Sequence, residues 1–213
     1  PQSLLSHSTT PILLAFRYPQ TSQTVAVTLK RYPASRGLGA VVENANAVTI
    51  TGTTLIIGRD SSGDNELWFY SVATPSSPSL LRSTNVSASF NDLESSTTYV
   101  FGTSSNNSQE VYAFQISDGS QVGTLDMTGS DNAEDLHLEG NNLYVVRDDG
   151  SSYDFALVDV TTPSSMSVIS SLELGESLND VDIDPGEDYA FIATDNNSEE
   201  VIVVNLSTFT EEV

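Results

Sequence analysis

Residues 91–115, NDLESSTTYVFGTSSNNSQEVYAFQ, contain one clear copy of the pattern that decides the fold. Three apolar runs of strand length alternate with polar stretches rich in Ser, Thr and Asn, which are typical of turns. The pattern recurs at intervals of about 44 residues, and its copies open at Asn46, Asn91, Glu134 and Asn179. A fixed period of this length indicates a repeat architecture.

A fourth, more variable strand follows each copy, so the repeating unit is a four-stranded antiparallel sheet. We therefore predict an all-β fold, and a unit of this size favours a β-propeller over a solenoid or a sandwich. The predicted blades span residues 44–88, 89–131, 132–176 and 177–213. Residues 1–43 fit the repeat less well and are predicted to be a divergent first blade or a closure strand. This gives a single domain, 1–213, with five blades, and the alternative is a fragment of a propeller of about six to eight blades.

Composition restricts the partners of this chain. Seven Lys and Arg residues stand against 29 Asp and Glu residues, which gives a net charge of −22. Such a field opposes binding to nucleic acid or to an anionic membrane. No apolar run is long enough to span a bilayer, and the chain contains no cysteine, which excludes disulfides and thiolate metal sites. An acidic surface rich in Ser, Thr and Asn is typical of an extracellular or cell-surface protein, and we predict that location.

Two further features suit an extracellular role. Residues 1–43 hold four basic residues, Arg17, Lys30, Arg31 and Arg36, against Glu43 alone. We predict that these four residues contact a protein partner, because the rest of the chain is strongly acidic. Four Asn-x-Ser sequons are candidate glycosylation sites, and they begin at Asn85, Asn106, Asn196 and Asn205.

An aspartate recurs where the innermost strand of a blade begins. It occurs as Asp92, Asp135 and Asp180, and Ala47 interrupts the series. Carboxylates converging on a propeller axis could hold Ca²⁺ or supply the acid and base of a glycosidase. They could equally hydrogen-bond the backbone of a neighbouring blade. All three interpretations stay open from the sequence, and no cofactor is required.

Two other acidic patterns have structural interpretations. Asp180 to Gly186 imitates the start of a Ca²⁺ loop, but its place in the repeat predicts a strand followed by a hairpin turn. A second acidic series precedes each third strand, and we expect it to be peripheral and solvated. Its members are Glu66, Glu110, Asp154 and Glu200.

The third strands carry a family resemblance. The segments Leu67-Trp-Phe-Tyr-Ser-Val-Ala-Thr-Pro, Phe155-Ala-Leu-Val-Asp-Val-Thr-Thr-Pro and Val201-Ile-Val-Val-Asn-Leu-Ser resemble the LVIVD-type β-propeller repeats. The resemblance covers residues 44–213. It implies a propeller that is secreted or attached to a surface, sometimes as the head of a pilus-like protein.

Three classes of function follow. We expect a non-enzymatic propeller in surface display, adhesion or assembly, including a filament subunit that associates through its basic N-terminal segment. The partner would be another copy, a surface protein or a glycan. The alternatives are a Ca²⁺- or glycan-binding module and a carbohydrate-active enzyme that uses two of the recurring aspartates.

Overall fold

The computed structural model describes residues 44–61, 63–148, 150 and 152–212, together with the backbone of strands at 13–17 and 24–28. Within these residues, no helix is both long enough and apolar enough to cross a membrane. Regular structure in this part of the chain is almost all β-strand, with one short 3-10 helix at Pro163–Ser165.

Four four-stranded antiparallel sheets follow one another along the chain. Blade 1 contains β3 (Ala45–Thr51), β4 (Thr54–Arg59), β5 (Leu67–Ser71) and β6 (Ser79–Thr84). Blade 2 contains β7 (Phe90–Ser95), β8 (Tyr99–Ser104), β9 (Val111–Gln115) and β10 (Gln121–Leu125). Blade 3 contains β11 (Ala133–Glu139), β12 (Asn142–Arg147), β13 (Phe155–Asp159) and β14 (Ser167–Leu172). Blade 4 contains β15 (Leu178–Ile183), β16 (Tyr189–Thr194), β17 (Val201–Asn205) and β18 (Thr210–Glu211).

The strands of each sheet are paired in chain order, as an up-and-down meander. This confirms the predicted all-β propeller of four-stranded blades. The predicted count of five differs from the structure, which shows four such sheets in the described residues. From residues 1–43 the described part is one two-stranded antiparallel sheet, β1 (Leu13–Arg17) with β2 (Thr24–Thr28). The remainder of the predicted first blade lies outside the described residues.

The core lies between consecutive blades. The second strand of each blade is central in its sheet, so its alternate side chains face opposite neighbours. In β4, for example, Ile56 packs in the cluster between blades 1 and 2, whereas Leu55 and Ile57 pack on the other face of blade 1. Equivalent clusters join blades 2 and 3 and blades 3 and 4. Blades 2 and 3 therefore have both of their apolar faces buried by neighbouring blades.

Backbone also packs closely between blades 2 and 3. Gly123 in β10 lies against the 3-10 helix of blade 3, and a Cβ at this position would be 1.9 Å from the carbonyl oxygen of Pro163. No larger residue fits without moving one blade, because the obstacle is backbone rather than a flexible side chain. The glycine therefore sets how near the two blades approach.

Candidate functional site

A β-bulge recurs in the innermost strand of every blade. The pairing of the first strand with the second shifts between Ala45 and Ala47 in blade 1, and at the corresponding place in the other three blades. A bulge redirects the side chains beside it. The residues at this position are Ala47, Asp92, Asp135 and Asp180. They include the three aspartates that recur in the sequence.

The structure brings two of these aspartates together. The carboxyl groups of Asp92 and Asp135 are hydrogen-bonded to each other across the boundary between blades 2 and 3. Asp135 Oδ2 also accepts a hydrogen bond from the backbone N–H of Val181 in blade 4, at 2.8 Å. Asp180 is exposed, does not join the pair, and acts on it through its charge. The aspartates therefore connect three consecutive inner strands.

Burial controls the protonation of the pair. Burial is the largest cause that raises the pKa of Asp135, to about 9, and the neighbouring Asp92 carboxyl raises it further. The pKa of Asp92 is raised as well, mainly by burial. Two carboxyl groups in hydrogen-bond contact cannot both be ionised without strong repulsion. Ionisation of both groups is therefore unfavourable.

A second row of polar side chains lies two residues further along the same strands. Glu94 Oε2 accepts a hydrogen bond from the backbone N–H of Leu138 at 2.5 Å, and burial raises the pKa of Glu94 to about 7. His137 Nδ1 lies 3.3 Å from Asp182 Oδ1. Each contact joins neighbouring blades, as does the bond from Asn91 Nδ2 to the carbonyl oxygen of Ala133. The inner strands are thus tied to one another by polar side chains.

The predicted metal site gains no support from this geometry. Within the described residues, no three His, Asp or Glu side chains are grouped so that they could hold a metal ion. Ca²⁺ binding by Asp92, Asp135 and Asp180 stays a prediction. The Ca²⁺-like segment is a strand and a turn, as its place in the repeat predicted: Asp184 accepts backbone N–H groups of the turn, including that of Gly186 at 2.9 Å.

The acidic series before each third strand was expected to be solvated, and for three members this expectation is wrong. Glu66, Glu110 and Asp154 are fully buried. Each accepts backbone N–H groups from the segment that leads into the next blade: Glu66 from Val86 at 2.6 Å, Glu110 from Met127 at 2.8 Å, and Asp154 from three consecutive residues. Glu200, the fourth member, is exposed. The sequence feature that indicates a structural role for these acids is their constant position in the repeat.

Blade 4 differs from the other blades because one of its faces is exposed. Phe191 is 46% exposed and Val201 is 58% exposed. In the other blades the positions equivalent to Phe191 are at most 3% exposed, and they hold Ile56, Phe101 and Tyr144. The positions equivalent to Val201 are fully buried, and they hold Leu67, Val111 and Phe155. Tyr189 lies beside Phe191 on the exposed face. We call Tyr189, Phe191, Val201 and Glu200 the open face.

The comparisons with known proteins support the architecture. Against the designed protein Ika4, the TM-score is 0.61 at 13% identity, over 80% of this chain and 96% of that chain. The fold is that of a β-propeller. The β-propeller domain of Cps50 (Swd1) from Myceliophteria thermophila gives 0.60 at 10% identity, over 76% of this chain and 56% of that chain.

The designed protein Ika8 also gives a TM-score of 0.60 at 13% identity, over 79% of this chain and 48% of that chain. At these identities the likeness shows the fold alone. No family model matches the chain, and no curated protein does. The resemblance to LVIVD-type repeats is therefore neither supported nor opposed by these comparisons.

The remaining predicted site residues are the four basic residues of the N-terminal segment and the four sequon asparagines. Arg17 is in β1, and Lys30, Arg31 and Arg36 lie outside the described residues. The four sequon asparagines use their side chains in turns. Asn106, Asn196 and Asn205 each accept the backbone N–H of the serine two residues later, and Nδ2 of Asn85 donates to the carbonyl oxygen of Asp64. Turn chemistry explains the Asn-x-Ser spacing in three of the four places, and glycosylation stays a prediction.

Proposed function

We propose that this chain is a non-enzymatic β-propeller that acts at the cell surface in display, adhesion or assembly, and that it binds a protein partner through the open face of blade 4. The observation that carries the proposal is the exposure of Phe191 and Val201 at positions that are buried in every other blade. Large apolar side chains exposed together on one face of a sheet are a feature of protein interaction surfaces. The acidic composition, rich in Ser, Thr and Asn, supports an extracellular location.

Charge favours a basic partner. Residues 177–213 contain ten Asp and Glu residues and no Lys or Arg. Residues 1–43 contain four of the seven basic residues of the chain. A second copy is therefore a partner of suitable charge: Arg17, Lys30, Arg31 and Arg36 of one copy would meet the acidic surroundings of the open face of the next. Repeated head-to-tail, this contact builds a filament.

The axial carboxylates support a structural role better than a catalytic one. The two carboxyl groups of a glycosidase stand about 5–9.5 Å apart so that a sugar or a water lies between them. Asp92 and Asp135 instead contact each other, and Asp135 is also bonded to backbone. We propose no catalytic step for them.

The test is self-association of the full chain, measured by light scattering after gel filtration and by negative-stain microscopy at low and high salt. We expect assemblies whose size grows with concentration and falls with salt, because the contact is partly ionic. The double substitution F191D/V201D should leave monomers. I169D is the matched control, because Ile169 is 55% exposed on the outer strand β14, away from the open face. The proposal would be refuted if the unchanged chain stayed monomeric under every condition and also failed to bind to the surface of cells.

A further inference from the structure

We propose that the outer edge of β17 in blade 4 accepts β1 (Leu13–Arg17) of a second copy as an added antiparallel strand. This contact rests on the proposed function: self-association through blade 4 is taken as given, and the two segments that meet are now specified. The edge of the sheet contributes backbone hydrogen bonds in addition to the apolar contacts of the open face. Strand addition of this kind is a general mode of protein recognition.

The outer strand of blade 4 is shorter than its equivalents. In the other blades the fourth strand reaches the first residue of the third strand, in the pairs Leu67 with Thr84, Val111 with Leu125, and Phe155 with Leu172. In blade 4, β18 pairs only with Val204 and Asn205. Among the described residues, no strand therefore lies beside Val201 on the outer side of β17.

The backbone of Val201 points towards that outer side. The N–H of Glu212 donates to the carbonyl oxygen of Val203 at 2.8 Å, so the polar backbone groups of Val203 face outward. Those of Glu200 face inward, because its carbonyl oxygen accepts the N–H of Thr194 in β16 at 3.1 Å. The direction alternates along a strand, so the N–H and C=O of Val201 also face outward. An edge of this kind is a template for another strand.

Strand β1 has the features that this edge requires. It pairs with β2 on one side, and within the described residues no strand pairs with its other side. A two-stranded sheet is marginally stable alone, so joining a larger sheet favours it. In blades 2 and 3 the outer-strand residue opposite the equivalent of Val201 is a leucine. Phe16 of β1 supplies an apolar residue for the same place.

Charge selects the direction of the added strand. Antiparallel pairing of Phe16 with Val201 places Arg17 opposite Glu200, which is exposed. Opposite charges at facing positions of two strands stabilise their pairing. Strand β2, Thr24–Thr28, also has an outer edge but contains no charged residue. Charge therefore favours β1 over β2 as the added strand.

The added strand comes from a second copy. Within one chain β1 lies in its own two-stranded sheet and does not pair with β17. A copy that donates β1 to its neighbour keeps its own β17 edge available for the next copy. The contact is therefore head-to-tail and repeats along a filament.

The test uses disulfides, because the chain contains no cysteine of its own. F16C and V201C are prepared as separate full-length chains, mixed in equal amounts under assembly conditions and oxidised. Facing residues of antiparallel strands have Cα atoms roughly 5.5 Å apart, within the disulfide range of about 4.4–6.8 Å. We expect the mixture to give a covalent dimer of twice the 22.8 kDa chain mass, well above either variant alone. I169C in place of V201C is the matched control and should lose this band, because Ile169 is 55% exposed on β14.

A second measurement uses the unchanged protein and does not depend on any variant folding. Hydrogen exchange at the backbone N–H of Val201 should be slower in the low-salt assembly than in chains dispersed by high salt. The N–H of Ile202 is the internal control, because it points towards β16 and should be protected in both states. Equal exchange at Val201 in the two states would overturn the proposal.

The cross-linking outcomes separate this contact from the proposed function. Assemblies that form without the F16C–V201C band would refute the added strand and leave the proposed function standing. Equal bands from V201C and I169C would refute it as well, because they would indicate random collision. A disulfide that closes within a single chain carrying both F16C and V201C would identify the chain's own β1 as the occupant. Monomers under every condition would refute the proposed function and the added strand together.

Discussion

Two valines at equivalent positions, Val111 in blade 2 and Val201 in blade 4, should differ sharply in what they contribute to stability. Each begins the third strand of its blade. Val111 is fully buried between blades 2 and 3, whereas Val201 is 58% exposed on the open face. The same substitution to alanine at both positions therefore isolates the effect of a covering blade.

The expected magnitudes follow from burial. Val111→Ala removes two buried methyl groups, about 1.6 kcal/mol at roughly 0.8 kcal/mol each, and the cavity raises the loss to about 2–3 kcal/mol. Val201→Ala removes groups that are already more than half in water and leaves no cavity, so about 0.5 kcal/mol is expected. The strand preference for valine over alanine applies to both and largely cancels.

The assay is urea unfolding at a protein concentration where the chain is monomeric, with the free energy of unfolding obtained by linear extrapolation. The denaturant slope should be the same in both variants, so that the midpoints can be compared directly. A loss of about 2 kcal/mol or more in Val201→Ala would refute the reasoning, because it would mean that the open face is covered in the isolated monomer.

Three further predictions test other features. Asp154→Ala removes the buried acceptor of three partly buried backbone N–H groups and should lower the free energy of unfolding by about 2 kcal/mol, whereas Glu200→Ala, the exposed equivalent, should change it by less than about 0.5 kcal/mol; equal losses in urea unfolding would contradict the assigned roles. Gly123→Ala places a methyl group 1.9 Å from the Pro163 oxygen and should cost at least about 2 kcal/mol in the same assay, and an unchanged stability would show that the blades are not held so close. Glu94 has a pKa raised by burial to about 7, so its stabilising contribution is complete below about pH 4.5 and is lost as the pH rises to 7. Glu94→Gln should remove that part of the pH dependence of thermal unfolding, and a variant with the same profile would refute the assignment.

The repeat made much of the fold predictable. The predicted starts of the third strands, Leu67, Val111, Phe155 and Val201, are the starts of β5, β9, β13 and β17. The inner strands were predicted too short, however. In blade 2, for example, the apolar pattern predicts an inner strand from Leu93 to Ser95, whereas the strand begins at Phe90. The bulge interrupts the alternation of inward and outward side chains on which the pattern depends.

The candidate site was predictable only in part. Repeat positions identified Asp92, Asp135 and Asp180 as equivalent, but equivalence does not say which of them touch. The contact between Asp92 and Asp135 depends on the distance between two blades, which sequence spacing does not contain. Burial of Glu66 was missed for a related reason: its polarity suggests solvent, and its backbone partners come from a segment about 20 residues away in the chain.

The buried acid that precedes the third strand in blades 1, 2 and 3 bears on how a propeller gains blades when its repeats are duplicated. Its carboxylate accepts hydrogen bonds from the segment that follows the fourth strand of the same blade. One repeat therefore contains both the acid and the segment that the acid holds in place. Duplication of a whole repeat therefore copies this acid together with the segment that it holds. Glu200, at the same position in blade 4, is exposed, and no backbone N–H from a following segment bonds to its carboxylate among the described residues.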